Sequence, residues 1–370
     1  MKNEQFYKLL SKTRLNKLIY SLLKPSVSKK INGAYHQAKL ETIRENHYSS
    51  CIVDRDKTWT QYYYDLDIIV PVYNTGRLLE YCFESVCNQN TRYDYRVIVV
   101  NDGSTEEDTL RILEAYSKRD NFTIIAQNNV GIATARNIGL NHSQGRYLLF
   151  LDSDDILYAN SLELLLDTAY DNDADVVEGA YHNISEDGKK LWTYQHKEGM
   201  LNPTHDIYGF LWGKIYKREL FKRIRFPLYS FEDSIVRTTL IRSEHRAYGV
   251  PYQIYGYRRN RKSISYRLQG DAKSIDSLYV SEQLNRDRKE LGIEDSQDYY
   301  EYLLNIIKLT YRRNIWLLSK YQYTIFCRFC DIISEFNNYS TSNSKNRDLE
   351  DALRQKNFKW YCIWNEMNMF

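Results

Sequence analysis

No stretch of this 370-residue chain is apolar for long enough to span a bilayer as a helix. No secretory signal is legible either. The N-terminus is basic but lacks a continuous apolar core and a small-residue cleavage site, so a cytoplasmic location is the expectation. Neither a GxGxxG fingerprint nor a Walker-type loop occurs, which argues against a dinucleotide dehydrogenase and a P-loop NTPase. A strong excess of one charge is also missing: the formal net charge of +3 is too small to argue for a nucleic-acid partner. The six cysteines are scattered. Cys327 and Cys330 form a CxxC with no second pair and no nearby His, so core packing is expected there rather than zinc or redox chemistry, and no disulfide framework is implied. No internal repeat is found.

What is present fits a globular protein, with 43% hydrophobic and 27% charged residues, long enough for one large domain with appendages or for two domains. The 34 tyrosines suit partly wet surfaces such as sugar-binding clefts and interfaces, although a low-GC coding bias accounts for them equally well.

Residues 1–60 read as a basic helical extension: residues 1–46 carry ten Lys/Arg against three Glu, with Phe6, Leu9, Leu10, Leu18, Ile19, Leu22 and Leu23 on one face, and a second helical stretch is expected over 31–44. From 61 to 270 the texture is that of βα alternation. Strands are expected at 67–74, 96–100, 122–126, 146–151 and 174–178, and helices at 76–88, 105–119, 131–142 and 161–170. Short connections between such units predict a doubly wound, mostly parallel α/β sheet. Residues 180–266 read as irregular and aromatic-rich. Residues 271–370 read as mainly helical, with a polar loop over 337–350. The basic amphipathic stretch between Leu303 and Ile333 fits a core-facing helix pair better than membrane docking.

The segment Tyr147-Leu148-Leu149-Phe150-Leu151-Asp152-Ser153-Asp154-Asp155 delivers three carboxylates to the end of a buried strand. Ligands bind at such strand ends in open α/β sheets. Three clustered acids invite a hard cation, Mg²⁺ or Mn²⁺, that keeps positions for substrate phosphates. Alone, the cluster equally fits a solvated loop tip or a helix start at Asp155-Ile156-Leu157. Pro71-Val72-Tyr73-Asn74 and Asn101-Asp102-Gly103-Ser104 end the first two strands and would lie beside it. Arg136 offers a cation near a helix start. Glu232-Asp233 supplies carboxylates, as a general base or as part of a cap begun by Ser230. Trp212-Gly213-Lys214 offers an aromatic platform and a cation, and the basic loop from Tyr257 to Ser263 suits a diphosphate.

In this order, Ile69–Asn74, Val100–Thr105, Asn129-Val130-Gly131 with Ala135-Arg136-Asn137, Phe150–Asp155, Trp212-Gly213-Lys214 and Glu232-Asp233 resemble family 2 glycosyltransferases of the GT-A fold, of the bacterial capsule, exopolysaccharide or surface-glycan type. The resemblance covers about residues 66–265. It implies a nucleotide-binding half over about 66–178 and an acceptor half over 179–270. It further implies a base pocket lined by Pro71, Val72, Tyr73, Asn74 and Asp102, with Arg136, Ser153, Trp212, Lys214 and Arg258 assisting the nucleotide-sugar. Asp152 and Asp154 would hold the divalent metal, and Asp233, with Glu232 beside it, would be the base. The implied activity is metal-assisted, inverting transfer from a nucleotide-sugar, with UDP favoured, to a glycan, lipid-linked or glycoprotein acceptor. Two departures stand out: Asn101 replaces a first Asp, and the Arg258–Ser265 loop has no His for the metal. The terminal extensions fall outside the resemblance and are candidate surfaces for membrane, for a partner transferase or for a second copy. The competing readings are a catalytically silent glycan-binding protein of the same fold and, more weakly, a DxD phosphatase.

Overall fold

The computed structural model describes residues 38–46, 50–203, 206–236, 246–260 and 271–368, in two compact units. The first comprises the described residues of 49–263 together with 287–293; the second comprises 38–46, 271–286 and 294–368. The expected amphipathic helix before Pro25 and most of the stretch 31–44 lie outside the described residues, and Leu40–Thr42 forms a single 3-10 turn.

The first unit is built on a ten-stranded sheet. Its first half is parallel. β1 (Tyr64–Val72) pairs with β2 (Tyr95–Asp102) on one side and β4 (Gly145–Phe150) on the other, and β3 (Phe122–Gln127) extends it beyond β2. These strands are apolar on both faces because helices cover both. Ile68, Val70, Val97 and Val99 face Leu79, Cys82 and Phe83 of α1 (Leu78–Cys87). Ile98 and Val100 face Ala135 of α3 (Ile132–His142) on the other side. α2 (Glu107–Tyr116) lies between them in sequence. α3 lies very close to β1: a Cβ on Gly139 would sit 2.5 Å from Ile69 Cγ2. That approach fixes where Arg136, one turn earlier, emerges.

Beyond β4 the sheet becomes mixed. β9 (Lys214–Lys217) is antiparallel to β4, and β6 (Val176–Ile184) is antiparallel to β9. Two reversals restore direction, so β6 and its parallel partner β10 (Ala247–Arg258) run the same way as β4. β5 (Ile156–Leu157) returns antiparallel beside β10, where a helix start was the alternative expectation. β7 (Lys190–Tyr194) pairs with β6 and β8 (Gly199–Leu201) with β10, and α4 (Ser161–Asp171) packs over β6 and β10. The stretch expected to be irregular, 180–266, therefore contributes four strands and part of a fifth.

Lys214 and Glu178 stand opposite each other across β9 and β6, both fully buried and ion-paired. The second Glu178 oxygen lies 2.6 Å from His196 Nε2, while His196 Nδ1 is 2.9 Å from the Lys197 carbonyl. Both ring nitrogens face acceptors. Glu178 holds the His196 pKa above its usual value against the opposing effect of burial. Lys214 Nζ also donates to the carbonyls of Tyr208 and Phe210, each at 2.8 Å, and so ties the loop before β9 to the sheet.

The second unit is helical: α5 (Asp276–Asp287), α6 (Gln297–Arg313), α7 (Ser319–Ser334), α8 (Arg347–Arg354) and α9 (Phe358–Met367). The polar loop expected to 350 ends earlier, at the start of α8. Cys330 is buried in this unit and all six cysteines are free. Among the described residues, no helix is long and apolar enough to cross a membrane.

Replacing Lys214 by Met leaves Glu178 buried with His196 and the Tyr208 amide as partners. Breaking such a pair costs about 3–5 kcal/mol, and the remaining hydrogen bonds to Glu178 place this case at the low end. A denaturant midpoint unchanged from wild type would refute a structural role for the pair.

Candidate active site

Strand direction brings the ends of β1, β2, β4, β6 and β10 to one edge of the sheet. Leu151 still donates to Ile69 O at 3.0 Å; the chain then turns, with Asp155 N on Asp152 O at 3.0 Å. The three acids of that turn meet three different environments. Asp155 is buried, and its oxygens accept from Tyr255 OH at 2.7 Å and from the Arg258 amide at 2.6 Å. Burial, then the charges of Asp154 and Asp152, push its pKa well above the carboxylate range. Asp152 Oδ1 accepts from Arg136 at 2.8 Å. Asp154 has Asn260 Nδ2 at 3.4 Å from Oδ2, a long contact, and burial together with the Asp152 charge pushes its pKa up to about 6. Ser153 Oγ is 2.7 Å from Thr75 Oγ1, which links the turn to the end of β1. Cys82 packs beneath it, with Sγ 3.7 Å from Asp152 O; burial, then the three acids, hold its thiol well above the usual range, which suits packing rather than reactivity.

Arg136 is the hub. It is buried, and its guanidinium pairs with Asp152 on one side and Glu232 on the other. Burial opposes its charge, but Glu232 and Asp152 outweigh that and raise its pKa. Burial raises the Glu232 pKa although Arg136 acts the other way. Asn137, the next residue on α3, exchanges two hydrogen bonds with the backbone of Phe226, at 3.0 and 2.8 Å. α3 therefore clamps the segment leading to Glu232 and Asp233. Phe231 takes a left-handed φ of 68°, so the helical turn starts after it, with Ser234 N on Phe231 O at 3.1 Å, and Ser230 does not cap it as the sequence suggested. Asp233 is half-buried, and its charge acts on Arg136.

At the end of β1, Pro71 and Val72 are buried and Tyr73 is exposed. Asn74, at φ 47°, turns its Oδ1 onto the amides of Thr105 and Glu106 at 2.8 and 3.0 Å, where it caps the approach to α2. Asn101 closes its own turn by accepting from Ser104 N at 2.9 Å. Asp102 is buried: one oxygen takes Gln127 Nε2 at 2.7 Å and Val130 N at 2.9 Å, and the other takes Gly131 N at 2.9 Å. It pins the 127–131 loop beside the pocket. Gly103 is required there, at φ +73°, because a Cβ would sit 2.7 Å from Asn129 N.

Three residues expected to meet the nucleotide-sugar are committed elsewhere. Lys214 is spent on Glu178 and two carbonyls. Trp212 is buried, stacked on Tyr255 at 4.6 Å and on Phe210 at 4.6 Å. The Arg258 guanidinium is buried and donates to the carbonyls of Asp154 at 2.8 Å, Glu186 at 2.7 Å and Ser185 at 3.2 Å. Residues 261–265 of the basic loop lie outside the described residues. Sequence reasoning missed Thr75 and Tyr255. Tyr255 had no readable signal, because two register irregularities between Val250 and Tyr255 re-aim it.

Asp154 titrates near pH 6 when folded and near 3.9 when unfolded. A raised carboxyl pKa costs nothing below the unfolded value, and the cost grows as pH rises through the folded one. Asp154→Asn should therefore raise the melting temperature of the nucleotide-free protein at pH 7.5, by up to about 3 kcal/mol of stability, and give no gain near pH 3.5. A variant less stable than wild type at pH 7.5 would contradict this.

Comparison with known proteins follows the same edge. The sequence model of glycosyl transferase family 2 matches residues 67–237. GlyA of Streptococcus pneumoniae, a glycosyltransferase, is 30% identical over 219 residues, 54% of this chain and 31% of GlyA. TarP of Staphylococcus aureus, a poly(ribitol-phosphate) beta-N-acetylglucosaminyltransferase, is 33% identical over 118 residues, 31% of this chain and 36% of TarP. The chain thus spans about a third of the length of these two relatives. The crystal structure of S. aureus TarS 1–349 matches with a TM-score of 0.60 at 20% identity, over 80% of this chain and 89% of that one, and its complex with UDP-GlcNAc with a TM-score of 0.52. At that identity the likeness is one of fold, the GT-A arrangement of sheet and helices. Through residues 67–237, a little under half of the chain, the sequence is similar to glycosyl transferase family 2.

Proposed function

We propose that this protein transfers a sugar from a UDP-sugar to a hydroxyl of a glycan, lipid-linked or glycoprotein acceptor in bacterial surface-glycan synthesis, with inversion at the anomeric carbon. The observation that carries the reading is Arg136, whose single buried guanidinium joins the acid turn after β4 to the Glu232-Asp233 segment. The TarS complexes with UDP and UDP-GlcNAc, and the activity in the name of TarP, support a UDP-sugar and a surface polymer.

Tyr73, exposed at the end of β1, offers a ring for the base, with Pro71, Val72, Asn74 and the Asp102-pinned loop around it. Among the described residues no three His, Cys, Asp or Glu gather into a metal-holding group. A divalent cation that keeps most positions for water and diphosphate needs only one or two carboxylates. Asp154 fits: it is half-buried and like-charged with Asp152, and its contact to Asn260 is long, so its ionised form calls for a positive charge. Mn²⁺ or Mg²⁺ held by Asp154 and Asp152 would neutralise the charge building on the departing UDP. Asp155 is excluded from that set because both of its oxygens are used. Asp233 takes the proton from the acceptor hydroxyl as its oxygen attacks C1 and the bond to UDP breaks. Glu232 stays on Arg136 and orients its neighbour.

Titration calorimetry with UDP and a panel of UDP-sugars, with and without Mn²⁺, tests the donor site. Metal-dependent binding should weaken at least tenfold in Asp154→Ala. Asp233→Asn should keep wild-type UDP affinity while turnover of the preferred UDP-sugar falls roughly 10²–10⁴-fold. Absence of nucleotide binding under every condition would sink the reading and favour the silent glycan-binding alternative.

A further inference from the structure

The turn between α6 and α7 has a composition the transferase reading does not use. Residues 302–330 contain Lys308, Arg312, Arg313, Lys320 and Arg328 and no acid; the flanking acids are Glu301 and Asp331. The apolar faces of both helices pack into the second unit, through Leu303, Leu304, Ile307, Ile325, Phe326 and Phe329. At the tip the pattern inverts. Ile315, Trp316 and Leu318 are 42%, 41% and 66% exposed, and Leu309 joins them one turn back. Arg312 and Lys320, also exposed, flank the tip.

The backbone of the turn is closed upon itself. Gln322 Nε2 donates to the carbonyls of Ile315 and Leu317, each at 3.0 Å. Asn314 takes Ser274 Oγ at 2.9 Å and donates to Thr310 O at 2.9 Å, and Leu317 N returns to Asn314 O at 3.0 Å. The Trp316 indole N–H donates to Ser274 Oγ at 3.0 Å. Carbonyls and an indole satisfied internally can leave water without penalty. An exposed apolar knob ringed by cations and free of acids is complementary to a surface that is apolar below and anionic above.

We propose that residues 309–320 form a membrane-docking tip, with Ile315, Trp316 and Leu318 entering the interfacial region of a bilayer and Arg312, Arg313 and Lys320 meeting anionic headgroups. The tip lies on the surface of one leaflet and does not span it. The inference stands apart from the transferase reading, because docking is read without donor or acceptor.

Sedimentation of the full chain with large unilamellar vesicles tests it. Partitioning onto phosphatidylglycerol–phosphatidylcholine vesicles should exceed that onto phosphatidylcholine alone by at least tenfold and should weaken in 0.5 M salt. Ile315→Ser with Leu318→Ser, and separately Arg313→Gln with Lys320→Gln, should each reduce it at least tenfold while the thermal melt is retained. Brominated lipid should quench the tryptophan emission of wild type more than that of Trp316→Phe, a readout that needs no destabilising change. Wild-type protein that ignores anionic vesicles, variants that partition like wild type, or a tip that drives only self-association would each overturn the proposal.

Discussion

A guanidinium buried between two carboxylates sets the geometry of the first unit's working edge. Arg136 can be held in a dry environment only because Asp152 and Glu232 both reach it. Those acids come from segments distant in sequence, one ending β4 and the other following the long excursion through β9. Removing either would leave the cation under-compensated, so the positions of the acid turn and of the Asp233 segment are coupled through one side chain. Gly139 makes this reachable, since any side chain there would lift α3, and Arg136 with it, off β1. Asn137 adds a second tie to the same segment through the Phe226 backbone.

Three acids within four residues pose an electrostatic problem, and the fold solves it in three ways. Asp155 is surrounded by donors and driven toward its neutral form. Asp152 is neutralised by Arg136. Asp154 receives neither remedy in full, and its raised pKa reports the unresolved charge. The carboxylate with the least internal compensation is the one that an external positive charge would relieve most, a difference between Asp154 and Asp155 that their adjacent positions in the sequence do not reveal.

The parallel half of the sheet was legible because each of its strands is a short apolar run with a polar stop, and helices of clear period stand between them. The second half was not. β7 is largely exposed and aromatic, β9 opens on a lysine, and β10 carries irregularities, so none shows the period of a buried strand. The site residues divide along the same line. The placement of Asp152, Asp154 and Arg136 at one edge was readable from strand ends and helix starts. Lys214, Trp212 and Arg258 have internal partners that the sequence does not show. Their partners, Glu178, Tyr255 and the carbonyls of the acid turn, come from strands whose register the sequence does not disclose.

Burial and partner count also separate adjacent residues. Glu232 and Asp233 are indistinguishable as letters, and both were candidates for the base. Glu232 is buried with its carboxylate committed to the Arg136 guanidinium. Asp233 is half-buried one residue further on, where the left-handed Phe231 has already redirected the chain. Two neighbouring acids thus differ in environment: Glu232 faces inward to hold the hub, and Asp233 is half-buried beside it. That difference in burial and pairing, rather than the presence of two acids, is what separates the two positions.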